Sequence, residues 1–276
     1  MAEQTIPLIK LNDGREIPQL GLGLWEVSDP AKFAASVAAG FADGYRHFDD
    51  AEAYGNEQLL GEAWKKSGVG REQIWLTSKI DVRNFDRAAA ALDETLQKLG
   101  TDYVDLMLLH FPVKDLLRPA WADLEVAKKS GKARSIGVSN YTIKHLEDMK
   151  TYAKIKPAVN QVELNVFLQQ PELIQYCRDN DIAVEAYSPL SRASQMDNPI
   201  IAEIAAKHHK TYAQIMLRWL VQQSLIVLLK SNNPARVREN SQIFDFELDA
   251  EDLAKIKTLD ENHRECWDPT TSQLAD

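Results

Sequence analysis

The chain has 276 residues, of which 45% are hydrophobic and 26% charged, and a formal net charge of −9. Such a length suffices for one large core, and the composition is that of a globular domain rather than a disordered, fibrous or membrane-embedded chain. An acidic balance of this size repels phosphate backbones, so nucleic acid is not an expected partner. The two cysteines, Cys177 in a helical stretch and Cys266 in a polar C-terminal tail, make neither a disulfide framework nor a metal set. The opening residues show no charged region followed by an apolar run, and no apolar stretch approaches a membrane span. The expectation is a soluble, cytoplasmic protein with no membrane partner and no metal.

In chain order, Leu8–Leu11 and Glu16–Ile17 flank Asn12-Asp-Gly14, the signature of a β-hairpin. Then Gly21–Trp25 reads as a first strand. Further short strands are expected at 46–49, 74–78, 104–109, 134–138, 159–163, 182–187 and 225–229. Most are apolar or β-branched, and most of the gaps carry a helix-period segment. In Ala88–Leu99 the residues Leu92, Leu96 and Leu99 share one helix face, and Gly100 follows as a stop. Gly68 and Gly131 end the neighbouring helices in the same way, and Pro171 sits just inside another helix start. The long gap before the last strand holds two helices, near 199–209 and 212–223. A final helix spans Asp249–Thr258, and a polar tail runs from His263 to Asp276. Eight alternating strand–helix units predict a parallel sheet closed into a (β/α)₈ barrel, with the hairpin and the last helix as additions. No linker divides the chain, so residues 1–276 form one domain.

Barrel enzymes place reacting groups at the C-terminal ends of their strands. Asp49, Lys79 and His110 stand at three consecutive strand ends, with Asp50 beside the first and Tyr54 in the following loop. A free tyrosine titrates near pH 10, and a nearby ammonium lowers that value by favouring the phenolate. A carboxylate can hold the lysine charged, and a histidine can orient a carbonyl oxygen. Together the four could protonate an alkoxide. Taken singly, Asp49 and Lys79 could be a structural ion pair, Tyr54 a packed loop aromatic and His110 a satisfied core histidine. Their conjunction at one rim favours chemistry.

The segment Gly44-Tyr-Arg-His-Phe-Asp-Asp-Ala-Glu-Ala-Tyr-Gly-Asn-Glu57 resembles a signature of the aldo-keto reductases. Leu76-Thr-Ser-Lys79, Asp105-Leu-Met-Leu-Leu-His-Phe-Pro112, Ser135-Ile-Gly-Val-Ser-Asn140, Val159-Asn-Gln-Val-Glu163, Ala186-Tyr-Ser-Pro-Leu190 and the stretch from Lys230 to Asn240 follow in family order. The resemblance runs from about residue 5 to 260. It implies Tyr54 as general acid, Lys79 as modulator of its pKa, Asp49 as partner of Lys79 and His110 as the residue orienting the carbonyl. It implies NADPH as cofactor, with Ser139, Asn140 and Gln161 on the nicotinamide carboxamide and Tyr187 stacked on the ring. Gly23, Leu24 and Asp49 join that set, and Ser188 and Leu190 would line the pyrophosphate path. Lys230, Ser231, Asn232, Arg236, Glu239 and Asn240 match the site for the cofactor's tail. Lys230 at a strand end and Arg236 near a helix start are cations suited to a 2′-phosphate, which favours NADPH over NADH. No Rossmann fingerprint is present: Gly21-Leu-Gly23 lacks the third glycine, and the family instead binds its cofactor extended over the barrel mouth.

Asp50 departs from the family's usual threonine and would add negative charge beside Asp49. Asn165-Val166 stands for the more usual His-Pro, Leu229 for a proline, and Phe111 where many relatives have tryptophan. Trp25, Phe111 and Trp267 are the expected apolar walls of a pocket for a small carbonyl substrate. The short loop after His110 and the short tail are similar to the bacterial 2,5-diketogluconate reductase-like branch. They suggest a permissive pocket for keto-sugar acids, small aldehydes or dicarbonyls, on a monomer. Two other readings compete. One is a catalytically silent nicotinamide-binding redox sensor of the same fold. The other is a barrel isomerase or aldolase with Lys79 as a Schiff-base lysine, which leaves Tyr54, Gln161 and Tyr187 unexplained.

Overall fold

The computed structural model describes residues 6–27 and 29–271. The first five residues of the opening segment and the last five of the polar tail lie outside them. A hairpin comes first: β1 (Leu8–Lys10) pairs antiparallel with β2 (Glu16–Pro18). Then follow β3 (Leu20–Gly23), α1 (Pro30–Ala42), β4 (His47–Asp49), α2 (Glu57–Lys66), β5 (Trp75–Ile80), α3 (Ala88–Leu99), β6 (Val104–Leu109) and α4 (Leu117–Ser130). The second half continues with β7 (Ala133–Ser139), α5 (Ile143–Met149), β8 (Val159–Glu163), α6 (Pro171–Asp179), β9 (Ala183–Tyr187), α7 (Pro199–His208), α8 (Tyr212–Val221), β10 (Ile226–Lys230), α9 (Pro234–Ser241) and α10 (Ala250–Lys257). Strands β3 to β10 run parallel and close into a barrel, with β10 beside β3.

The expected architecture is therefore observed, with small shifts at strand ends. β3 ends at Gly23 rather than Trp25: the Leu24 N–H still reaches the carbonyl of Asp49 at 3.0 Å, and Trp25 turns out over the rim. β5 extends past Lys79 to Ile80, so Lys79 lies inside the strand. Gly68, Gly100 and Gly131 all take positive φ, which is why glycine follows the helices there.

Alternation along the strands sorts side chains into two cores. On β6, Leu106 and Leu108 point into the barrel with Trp75, Val159 and Ile226, while Met107 and Leu109 join the larger core beneath the helices. Leu11 and Ile17 of the hairpin segment pack with the interior group and close one end of the barrel. Burial of each such side chain stabilises by roughly 1.5–3 kcal/mol. Beyond this apolar floor the barrel interior turns polar, with His47, Thr77, Glu185, Gln161, Asp49 and Lys79 all buried. Gly21 makes room for one of them, since a Cβ there would lie 2.7 Å from His47 Nδ1. Among the described residues no helix is long and apolar enough to cross a membrane.

Candidate active site

The buried polar layer is organised around Lys79, whose side chain is fully buried. Its Nζ donates to Asp49 Oδ1 at 2.7 Å, to the backbone carbonyl of Asp50 at 2.9 Å and to Tyr54 Oη at 3.3 Å. Strands β4 and β5 are hydrogen-bonded neighbours with Asp49 in register with Thr77, so Lys79, two residues on, projects from the same face of the sheet as Thr77 and can reach Asp49. Tyr54 comes from the short 3₁₀ turn Glu52–Tyr54, which ends on Gly55 in the left-handed conformation. His110, just past β6, meets the Tyr54 ring edge-on at 5.7 Å between centroids. The four residues expected at the rim are thus brought together.

Electrostatics assigns each a form. Burial pushes Tyr54 up to about 12, against the opposing pull of Lys79. The expected lowering by the ammonium is outweighed, so the phenol keeps its proton at neutral pH. Burial lowers the Lys79 pKa, but Asp49 and Tyr54 more than offset it and raise the pKa above the usual lysine range. His110 falls to about 3, first through burial and then through Lys79. The buried His47 also falls to about 3, mainly through burial. Asp50 differs from expectation: burial, with Glu57 and Asp49 nearby, pushes its carboxyl well above the usual range and towards the neutral form. Its backbone carbonyl, not its side chain, faces Lys79.

The two histidines carry a stability consequence. Unfolded histidine takes up a proton near pH 6.5, whereas both folded rings resist protonation down to about pH 3. Stability held above pH 6.5 is therefore lost as pH falls towards 3. We expect the urea midpoint to drop through that window, and His110→Asn to show a shallower fall than wild type.

A cavity of about 920 Å³ opens over this cluster. Asp49, Tyr54 and His110 line one part; Ser139, Asn140, Gln161 and Tyr187 line another. Asn140 sits in the left-handed region, at φ 65°. Its Nδ2 donates to the His110 carbonyl at 3.0 Å and to Ser139 Oγ at 3.1 Å, and its Oδ1 accepts from Tyr187 Oη at 2.7 Å. Gln161 Nε2 donates to Asp49 Oδ2 at 2.9 Å and to Glu185 Oε2 at 2.6 Å. Gly23, Ser188, Leu190, Lys230 and Arg236 also line the cavity. Leu24, Ser231, Asn232, Glu239 and Asn240 do not: Leu24 and Asn240 are buried, and the Glu239 carbonyl accepts from Gln214 Nε2.

Trp25, Phe111 and Trp267 all reach the cavity wall. Trp267 is 70% exposed yet meets Phe111 edge-on at 6.1 Å. The tail that carries it is fastened by Glu163 at the end of β8, whose two oxygens accept the backbone N–H groups of Glu265 at 2.8 Å and Cys266 at 3.2 Å.

Residues 19–261 match the model of the Aldo/keto reductase family. The chain belongs to that family. This aldo-keto reductase is 42% identical to the glyoxal reductase of Bacillus subtilis over 258 residues, 93% of this chain and 94% of that one. Among solved structures, an aldo-keto reductase from a Medee basin deep-sea metagenome library superimposes with a TM-score of 0.91. It is 37% identical and covers 95% of this chain and 97% of its own. A Bombyx mori aldo-keto reductase in complex with NADP gives a TM-score of 0.89 at 34% identity, with 95% of each chain covered. The protein is accordingly an oxidoreductase.

Several residues of this reductase's site are not evident from its sequence motifs. Arg192 lies over the Trp25 ring at 4.4 Å, and Cys266 lines the cavity 3.4 Å from the Arg192 guanidinium. Glu185, His47 and Thr77 form the polar layer beneath Gln161. The available signal for Glu185 is a charged residue between Val184 and Ala186 in an otherwise apolar strand.

Proposed function

We propose that this protein is an NADPH-dependent reductase of small aldehydes, dicarbonyls or keto-sugar acids, with Tyr54 as its proton donor. The observation that carries the reading is the buried Lys79 ammonium, held by Asp49 and set 3.3 Å from a protonated Tyr54 Oη. When bound, a reduced nicotinamide supplies hydride to the carbonyl carbon. The remaining work falls to the chain's own groups. Tyr54 Oη gives its proton to the carbonyl oxygen, and Lys79 stabilises the phenolate left behind. Asp49 and the Asp50 carbonyl keep Lys79 charged and in place. His110, neutral at working pH, can offer an N–H to the same carbonyl oxygen and orient it. Trp25, Phe111 and Trp267 narrow the cavity and limit water.

The residues present fit a nicotinamide dinucleotide phosphate. Both Gln161 amide hydrogens and both Asn140 amide hydrogens are already spent on protein acceptors. What these side chains retain is acceptor capacity, at Gln161 Oε1 and Asn140 Oδ1, which suits the N–H₂ of a carboxamide. The Tyr187 ring offers a face beside them. At the other end Lys230 and Arg236 line the cavity, and among the described residues neither is paired with a carboxylate. Arg236 lies in the first turn of α9, whose N-terminus adds favourable dipole for a 2′-phosphate.

The substrate range rests on the cavity's aromatic walls and on the relative named glyoxal reductase. We retain a monomer working in the cytoplasm as part of this proposal, on the short rim loops and acidic surface. The test is loss of NADPH absorbance with glyoxal, methylglyoxal, simple aldehydes and keto-sugar acids. Turnover is expected, with the ranking of the panel fixing the substrate class. Tight NADPH binding with no turnover on any member would instead favour a silent redox sensor. For the phosphate site, Arg236→Ala is expected to weaken NADPH binding by about 10- to 100-fold and to leave NADH binding nearly unchanged. Equal losses for both cofactors would remove Arg236 from the 2′-phosphate.

A further inference from the structure

The barrel interior holds a carboxyl group that the chemistry above gives no task. Glu185, on β9, is fully buried. Its Oε2 accepts from Gln161 Nε2 at 2.6 Å, and its Oε1 has no hydrogen-bond partner among the described residues. Burying a carboxyl with one oxygen unmatched is costly, and an apolar side chain would fill the same space without that cost.

Its surroundings define its state. Asp49 and Lys79 lie towards the cavity, and His47 lies on the opposite side, with Nε2 3.6 Å from Glu185 Oε1. The His47 tautomer follows from its partners. The Pro18 carbonyl can only accept, so His47 Nδ1 carries the hydrogen and donates to it at 3.3 Å. Nε2 is then an acceptor with one lone pair, shared between Thr77 Oγ1 at 3.2 Å and Glu185 Oε1 at 3.6 Å, while Trp75 Nε1 donates to the Thr77 hydroxyl at 3.1 Å. Burial, with the Asp49 charge, pushes Glu185 up to about 8, so it carries a proton at neutral pH. On Oε1 that proton faces the His47 acceptor and leaves Oε2 free to accept from Gln161.

An amide side chain has two ends of nearly equal shape, and only its partners decide which faces the cavity. At Gln161 both N–H bonds point at carboxyl oxygens, one from Asp49 and one from Glu185. A flipped amide would set its own oxygen against both and leave two buried acceptors unmatched. Asp49 fixes one hydrogen but is also the partner of Lys79. Glu185 takes the other, and its Oε2 has no other hydrogen-bond donor among the described residues.

We infer that Glu185 is a positioning residue for cofactor binding: it locks the Gln161 amide so that Oε1 faces the cavity as the acceptor for a nicotinamide carboxamide N–H₂. The inference rests on the nicotinamide reading given under the proposed function. Glu185 touches neither cofactor nor substrate and acts only through Gln161.

The test compares binding of NADP⁺ with that of its 3-acetylpyridine analogue, in which a methyl group replaces the carboxamide N–H₂. Calorimetry supplies the dissociation constants for wild type, Glu185→Gln, Glu185→Met, Glu185→Leu and Gln161→Leu. Wild type is expected to prefer NADP⁺ by about tenfold, the weight of one hydrogen bond. Glu185→Gln keeps that preference, because its side-chain oxygen can accept from Gln161 while its N–H₂ turns to His47 Nε2. Glu185→Met loses the preference, as Gln161→Leu does, while its affinity for the analogue changes little. Glu185→Leu gives the same readout should the methionine variant not fold. A Glu185→Met or Glu185→Leu protein that still prefers NADP⁺ by about tenfold overturns the positioning role alone. A wild type with no preference removes the contact between Gln161 and the carboxamide, and the inference falls with it.

Discussion

Replacing Tyr54 by phenylalanine is expected to cut turnover by about a thousandfold while leaving the dissociation constant for NADPH within a factor of about two. The change deletes one hydroxyl and keeps the ring that meets His110 edge-on. The cavity walls and the Gln161 amide are untouched, so cofactor binding has no reason to move. Only the hydroxyl is lost, and with it the proton that the proposed reaction takes from Oη beside Lys79. Steady-state kinetics with separate binding titrations decides the matter. The pH profile carries its own sign: with burial holding Tyr54 at about 12, the reductive rate should not decline through loss of this proton until pH rises towards that value. Turnover within about tenfold of wild type in Tyr54→Phe would pass the acid role elsewhere, and His110 would be the next residue to replace.

Replacing Lys79 by methionine is expected to destabilise the fold by about 3–5 kcal/mol as well as to abolish turnover. Lys79 and Asp49 are both buried, and the bond between them is short, at 2.7 Å. Without the ammonium, Asp49 is a buried carboxyl with no opposite charge, held only by Gln161. Burial already raises its pKa against the pull of Lys79, so losing that pull raises it further. The folded carboxyl then keeps a proton that the unfolded chain releases near pH 4. Stability of the variant should accordingly fall as pH rises above that value, over a wider window than in the wild type, where Lys79 restrains the rise of the same pKa. The double variant Asp49→Asn with Lys79→Met removes both charges together and should recover much of the urea midpoint but none of the turnover. Recovery of activity along with stability would reduce the pair to a structural role.

The barrel was legible in the sequence because its strands are short, mostly apolar and separated by helix-period segments, and because glycines mark the helix ends where φ turns positive. The rim residues were legible for a related reason: strand ends are fixed by the period of the fold, and Asp49, Lys79 and His110 fall on three neighbouring ends. Two matters were out of reach. The balance of forces at Tyr54 depends on how deeply the phenol is buried, and burial outweighs the ammonium that sequence reasoning set beside it. The same depth turns Asp50 from an added charge into a neutral side chain whose backbone does the holding. The polar layer of Glu185, His47 and Thr77 is also hidden, because Glu185 on β9 meets His47 on β4 only when the ring closes. In the linear chain Glu185 is only an outlier in an apolar run. The cavity edge follows the same rule, for Trp25 and Arg192 stack across a gap that no local pattern spans.

The tail illustrates how such a scaffold diversifies. Trp267 and Cys266 shape the cavity, yet Glu163 fastens their segment through backbone N–H groups, which any residue but proline provides. Mutations there can accumulate without loosening the clasp and without reaching Lys79, which is anchored on β5. Chimaeras that exchange the residues after Glu261 between relatives should therefore trade preference among carbonyl compounds while each keeps its parent's capacity for proton delivery. Descendants of one ancestral barrel could in this way acquire new diets with their catalytic heart unchanged.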